Sequence, residues 1–418
     1  MKIVKNLLAT SVMAATLMMG AGSAFAQAGE TVRIAVIDPQ SGPFASLGLN
    51  VLHTMQFVAE REGGSKNAAG VKFEIIPFDN KMSGPESLNV LKAAIDQGIR
   101  YIAQGASGSG VAGALLDAIN KHNERNPGKE VILLNYAAMD PDLTNSKCSF
   151  YHFSFDSNTA MKMEAIGSGI AADKNIKKVY LLNQNYGHGQ QVTKYAKEII
   201  GRKAPNVQIV GEELHPFGQV KDFAPYIAKI KASGADTVVT GNFGNDLSLV
   251  FKAAKDAGLD VNFYTYYAGA AGTGTAIGNT GLGKIKFVYP SFQNHPSAEY
   301  QAIFKAFNQK FPNEAFANTP AWNIFRALPA AMAKAKSTDP VKVAKAMENL
   351  SFKAFSGDLT MRGSDHQAQQ PLYLVTWQKL DAKNPANVEN TGNTWALEKT
   401  FDSYVASTPT TCQMKRPA

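Results

Sequence analysis

Short apolar runs alternate along the chain with longer stretches in which apolar residues recur every three or four positions. The runs at 32–37, 71–77, 99–103 and 131–136 are strand candidates, and 49–62, 85–96 and 111–122 between them carry helical spacing. After a break over 140–155 the rhythm restarts. Helical patterns at 160–173, 190–200, 223–233 and 247–257 interleave with apolar runs at 178–182, 208–213, 237–240 and 261–266. Continuous apolar runs between amphipathic helices predict parallel sheets covered on both faces. Two such series on either side of a break predict an α/β chain of two doubly wound, Rossmann-like lobes. A further strand at 284–289 follows, then helices at 297–311, 319–336 and 340–350 and a last β section at 359–361 and 372–378. The stretch 382–418, rich in Pro, Asn and Thr, has weak periodicity and reads as surface structure.

Residues 1–26 read as a cleaved leader. Lys2 and Lys5 make a positive start, 7–19 is apolar, and Ala24-Phe25-Ala26 has the small-x-small form of a signal peptidase site. The apolar stretch is too short to span a bilayer, and with no cysteine beside the cleavage point no lipid anchor is expected. The mature chain is therefore expected free in an oxidising space, a bacterial periplasm. There the two cysteines, Cys148 and Cys412, are expected to form one disulfide that ties the tail to the middle of the chain. On the chain-entropy account so long a loop is worth roughly 5 kcal/mol. The length of 418 residues suits two domains. The net charge of +8 includes the two leader lysines, and the rest is scattered without a basic, aromatic-interleaved stripe. A nucleic-acid partner is not expected.

Ligands of such sheets bind where the C-terminal ends of the strands meet the following helices. The loop Gly105-Ala106-Ser107-Gly108-Ser109-Gly110 lies between a strand candidate and a helical pattern opening at Val111. Backbone N–H groups there favour an anion. Ser107 and Ser109 add hydroxyls to the amides of Gly108 and Gly110, and Ser109 is placed to cap the helix. Residues 108–113 also fit G-x-G-x-x-G, but in the third strand–helix unit, and the next strand ends in Asn135-Tyr136 without an acid for a ribose. That context argues against a nicotinamide cofactor. Phe44 and Leu47, in the loop after the first strand, are read as one wall of the cleft or as a staple for the next helix.

In the second series, Tyr186 offers a ring that can close over a ligand. His188 beside it has no Ser or Cys partner in sequence reach and reads as a cap or surface residue. Asp246 either receives a ligand ammonium or caps the helix from Leu247. Tyr264, Tyr266 and Tyr267 form an aromatic cluster typical of a ligand wall or a packed interface. Metal-ligand spacing, an H-x-x-x-H pair and a G-x-S-x-G elbow are all absent from the sequence, so neither an enzyme nor a cofactor is expected. Arg362-Gly363-Ser364-Asp365-His366 reads as a turn with an internal Arg–Asp pair.

Taken in order, these residues resemble the substrate-binding proteins of branched-chain amino-acid type ABC transporters, the leucine/isoleucine/valine-binding family, over about 32–378. The marks are Ser41-Gly42-Pro43, the Gly/Ser loop after Tyr101-Ile102, and Asn135-Tyr136-Ala137-Ala138 with Pro141-Asp142-Leu143-Thr144. Tyr186-Gly187-x-Gly189 and Thr240-Gly241-Asn242-Phe243 are two more. The resemblance implies a type I periplasmic binding protein, with two hinged lobes joined by three crossovers. Lobe 1 would hold 30–152 and 288–365, lobe 2 would hold 153–287 and 366–380, and a tail, 381–418, would be pinned by the disulfide.

It also implies a monomeric, non-enzymatic receptor that traps a small solute and delivers it to a membrane permease. Ser107, Gly108, Ser109, Ala137 and Met139 would hold a ligand carboxylate, with Tyr186 and Phe243 closing from the second lobe. Two positions depart from the family's amino-acid binders. Met139 stands where they usually carry a hydroxyl, and Tyr267 where they carry the acid that neutralises the ligand's ammonium. Either Asp246 substitutes, or the ligand has no amino group. The expected ligand is an apolar amino acid or an aromatic or aliphatic acid; a sensory module for a signalling receptor and a receptor for amides are the alternatives.

Overall fold

In a computed structural model, residues 29–312, 314, 318–404 and 407–417 are described; the leader expected at 1–26 lies outside them. The first lobe opens with β1 (Thr31–Asp38), α1 (Ala45–Glu62), β2 (Lys72–Asp79) and α2 (Gly84–Asp96). It continues through β3 (Tyr101–Gln104), α3 (Gly108–Arg125), β4 (Ile132–Asn135) and β5 (His152–Ser154). The five strands form a parallel sheet in the order β2-β1-β3-β4-β5. Ile34, Ala35, Val36 and Ile37 of β1 are all buried. A strand between two helical layers has no solvent face, hence the unbroken apolar run. On α1, Val51, Leu52, Met55, Val58 and Ala59 form the helical stripe that packs on this sheet.

The second lobe holds α4 (Thr159–Ala172), β6 (Lys178–Gln184), α5 (Gly187–Lys203), β7 (Gln208–His215) and α6 (Ala224–Ser233). It goes on with β8 (Thr237–Thr240), α7 (Gly244–Asp256), β9 (Asn262–Thr265), α8 (Thr273–Ile277) and β10 (Ile285–Tyr289). The chain then returns to the first lobe for α9 (Ala298–Lys310), α10 (Thr319–Ala335) and α11 (Pro340–Met347). After β11 (Ser351–Ala354), β12 (Gly357–Met361) and β13 (Ala368–Gln369) it crosses back for β14 (Leu372–Lys379) and β15 (Asn393–Phe401). The second sheet runs β15-β14-β10-β9-β8-β6-β7, with β14 and β15 antiparallel.

Three connections join the lobes: β5 to α4, β10 to α9 and β13 to β14. They are bound to one another. Gln367 Nε2 donates to the Asp156 carbonyl at 2.7 Å, and Gln370 Nε2 to that of Phe155 at 2.8 Å. Lys162 and Asp156 form a buried ion pair at 2.7 Å. The ammonium also lies 4.5 Å from the centre of the Tyr289 ring on the second connection. Burial pushes Asp156 up and Lys162 down, while each partner's charge pulls the other back.

The pattern along the sequence locates nearly every long element, and the structure corrects it in several places. β5, α8 and β11 are too short to show a period. α3 begins at Gly108 rather than Val111, with Ser107 at its N-cap, so Ser109 lies inside the first turn and not at the cap. The stretch from 382 is not weak surface structure throughout, because β15 completes the second sheet. Trp395 packs at 4.6 Å from Phe287 and 4.7 Å from Trp377, whereas Glu398 and Lys399 face outward on an edge strand. Both ends of the strand are buried and its middle, 397–400, is exposed, so the run is not apolar. Cys412 is bonded to Cys148, and Met414 enters the core of the first lobe. The Arg362 guanidinium grips Asp365 bidentately, at 2.8 and 2.5 Å, as the turn reading expects.

Candidate functional site

The C-terminal ends of β1, β3 and β4 face those of β6, β8 and β9 across a cleft, and the two lobes touch. Gly108 has a φ of +80°, and the rings of Tyr186 and Phe243 lie 3.4 and 3.8 Å from where its Cβ would stand. Phe44 crosses from the first lobe onto Phe217 at 5.7 Å and Phe243 at 5.8 Å. The Tyr267 hydroxyl, from the second lobe, donates to the Ala137 carbonyl of the first at 3.0 Å. Asp140 approaches Gly187 at the start of α5, and burial raises its carboxyl above the ordinary range. These contacts describe a closed state.

Between the lobes lies a cavity of about 770 Å³, its open mouth included, within the range of small-molecule sites. Leu47, Gly108, Tyr136 and Ala137 line it from the first lobe, and Phe243, Tyr266 and Tyr267 from the second. Tyr289, Phe292 and Gln293 line it from the second connection. Among the described residues no lining side chain is an acid, a lysine, an arginine or a histidine.

The sequence-predicted residues divide into two groups. Leu47, Gly108, Ala137, Phe243 and Tyr267 line the cavity, and Phe44 and Tyr186 close it through ring contacts. Tyr186 lies against Phe217, ring centres 5.0 Å apart. The others are occupied elsewhere. The Gly/Ser loop does hold a carboxylate, but it is the chain's own Asp38. Gly105 N donates to Asp38 Oδ2 at 3.2 Å, and Ser107 N and Oγ both donate to Oδ1 at 2.8 Å. The Tyr136 hydroxyl donates to the same carboxylate and accepts from Ala106 N. Desolvation lifts Asp38 to about 6, and these hydrogen bonds oppose the rise.

Ala137 N and Ala138 N both donate to Asn135 Oδ1, and Ser109 Oγ accepts from Asp140 N. Met139 is packed among Met161, Met163 and Ile166 of the second lobe's core, away from the cavity. Asp246 accepts from Gln184 Nε2 and Gly218 N, each at 2.9 Å, and so anchors the loop that carries Phe217. It does not line the cavity. His188 is neither cap nor surface. It is wholly buried against Tyr266, 2.7 Å from Thr159 Oγ1, and desolvation drives it down to about 3, so the ring is neutral.

Sequence reasoning missed Asp38, Tyr136, Phe217, Tyr289 and Gln293. Asp38 ends the first strand, which is a visible signal. Only the packing of β1 beside β3 turns its oxygens into the Gly/Ser loop.

A family model described as periplasmic binding protein matches residues 31–384, from β1 through β14. The chain belongs to the periplasmic binding protein family. It is 34% identical over 415 residues to a Leu/Ile/Val-binding protein homolog 4 of Brucella abortus, covering 95% of each chain. A leucine-, isoleucine-, valine-, threonine- and alanine-binding protein from Brucella ovis, solved in its closed conformation, superposes with a TM-score of 0.81. That structure is 32% identical and covers 93% of this chain and 100% of its own. An R. palustris ABC transporter solute-binding protein in complex with benzoate shares the fold, with a TM-score of 0.74, 18% identity and coverage of 88% and 96%. This periplasmic binding protein is thus a type I, two-lobed solute receptor for an ABC importer and not an enzyme. Among the described residues no helix is long and apolar enough to cross a membrane.

Proposed function

We propose that this receptor captures a small aromatic or apolar solute that carries no ammonium group, closes over it, and presents it to the permease. The carrying observation is the cavity wall, aromatic on both lobes and without a charged side chain. At the position of the family's neutralising acid, Tyr267 points its hydroxyl at the Ala137 carbonyl, and Asp246 is held behind the wall by Gln184 and Gly218. A buried ammonium left there would be costly. Of the donors that the sequence assigned to a ligand carboxylate, the Ser107 amide and hydroxyl are engaged by Asp38, the Gly108 amide by the Gly105 carbonyl and the Ala137 amide by Asn135. The R. palustris complex with benzoate is in keeping with an aromatic solute in such a fold. The names of the Brucella relatives favour an apolar amino acid instead, a reading that requires Asp246 to turn into the cleft.

Contacts to both lobes favour the closed form when the solute is present. A micromolar affinity, about −8 kcal/mol, is within reach of apolar burial and one or two hydrogen bonds. Removal of residues 1–26 and action as a monomer belong to the same proposal. Thermal shift of the mature protein against leucine, 4-methyl-2-oxopentanoate, benzoate and benzamide tests it, because a ligand of the folded state raises the melting temperature. Ammonium-free solutes are expected to raise it and leucine to leave it unchanged. A leucine shift that disappears in Asp246→Asn overturns the proposal.

A further inference from the structure

Phe44 is only 6% exposed, yet it belongs to the apolar core of neither lobe. Ser41, Gly42, Pro43 and Ser46 around it in the same loop are all exposed. Its ring is seated in the second lobe, between Phe217 and Phe243, with ring centres 5.7 and 5.8 Å away. Two glycines with left-handed backbone cut the seat. A Cβ on Gly244 (φ +59°) would stand 2.7 Å from the Phe44 ring, and one on Gly218 (φ +67°) would stand 3.4 Å from it. The loops that carry them are tied together. Asp246, wholly buried, accepts from Gly218 N and from Gln184 Nε2, each at 2.9 Å, and Gln184 Nε2 also donates to the Phe243 carbonyl at 3.4 Å. Neither Phe44 nor Phe217, Gly218 or Gly244 lines the cavity. The contact runs from protein to protein, beside the solute site and not through it.

We infer that Phe44 is a plug that enters this socket as the lobes close, and that the contact populates the closed form before a solute has bound. With the lobes apart the ring would stand in a polar loop, outside both cores. Burying it is favourable by itself, and ring pairs add to the gain. None of that depends on the solute. A solute that needs both lobes binds the closed form, so its apparent affinity scales with the closed fraction. Phe44 is therefore a positioning residue: it sets the affinity for every solute by one common factor and leaves the choice among solutes to the cavity wall. The inference goes beyond the proposed reading of the cleft and holds whichever solute fits there.

Small-angle scattering on the mature protein, freed of solute by reversible unfolding, tests this. The wild-type profile is expected to contain a closed component, and in Phe44→Ala the closed-to-open ratio is expected to fall at least about tenfold. Phe217→Ala removes a wall of the socket from the other lobe. It is expected to act in the same direction, and the two substitutions together are expected to do little more than one. Calorimetry supplies a readout that a merely structural role would not move. Each of leucine, benzoate and benzamide that binds the wild-type protein is expected to lose affinity in Phe44→Ala by the same factor, to within about twofold. Should Phe217→Ala fail to fold, Phe44→Ala decides alone. A wild-type profile without a closed component, superimposable profiles for wild type and Phe44→Ala, a double variant opened by the product of the two single effects, or affinity losses that differ between solutes overturns the inference. Tight leucine binding would remove the proposed reading of the cleft and leave the plug standing.

Discussion

Asp38 sits at the end of β1 with its carboxylate sealed inside the Gly/Ser loop, where Gly105, Ser107 and Tyr136 all donate to it. An internal anion therefore holds the mouth of α3 in shape. Its carboxyl is raised from 3.8 to about 6, so the folded state keeps the proton over a window in which the unfolded chain has lost it. The sign follows. Stability from this group is greatest below 3.8 and is lost as pH rises through about 6, on the order of 3 kcal/mol in all. His152 and His188 act in the opposite direction. Burial lowers both to about 3, so their contribution is present above the ordinary 6.5 and fades as the solution is acidified. Asp38→Asn cannot take up the compensating proton. Its melting temperature is expected to fall more steeply than that of the wild-type protein between pH 6 and pH 4. Parallel curves from scanning calorimetry would refute this account.

Among the elements, α3 shows how local sequence and tertiary contact divide the work. The strand–glycine–helix unit was legible in the residues, and so was its place on the cleft. Which hydroxyls and amides remain free was not, because Asp38 and Asn80 approach Ser107 from other strands and loops. Gly108 opens the helix with φ +80° beneath the Tyr186 ring. Gly108→Ala is expected to cost about 1 kcal/mol of stability from the positive φ. A larger effect is expected on binding, a loss of about tenfold or more, because the added methyl meets the closing lobe. Small-angle scattering with and without benzamide reads the second effect directly: a variant that compacts as fully as the wild-type protein contradicts it. β15 is the converse case. Its pattern, buried at both ends and charged between them, carries no clear period of its own, and it becomes a strand because β14 offers an edge and Trp377 a surface for Trp395. The edge strands β2 and β7 and the four-residue β3, β4, β8 and β9 were readable from their runs; β5, α8, β11 and β15 were not.

The whole molecule turns on three connections that meet at one buried ion pair. Lys162 and Asp156 are both inaccessible to solvent, with Tyr289 over the ammonium and Gln367 on the Asp156 backbone. Removing one partner leaves an uncompensated buried charge. Lys162→Met is expected to destabilise the fold by about 3–5 kcal/mol, read from the midpoint of urea unfolding, and Lys162→Met with Asp156→Leu is expected to recover most of the loss. A double variant as unstable as the single would show that the pair is not the unit at work. At this scale the sequence by itself determined the two α/β lobes, the strand-end loops that face the cleft and the cysteines available to pin the tail, because periodicity, glycine placement and residue type act over short stretches of chain. Only the tertiary structure decided that the anion in the Gly/Ser loop is Asp38, that Tyr267 latches the lobes and that Asp246 lies behind the wall. Each of those outcomes depends on which distant oxygen or amide reaches a given atom first, and chain order does not encode that competition locally.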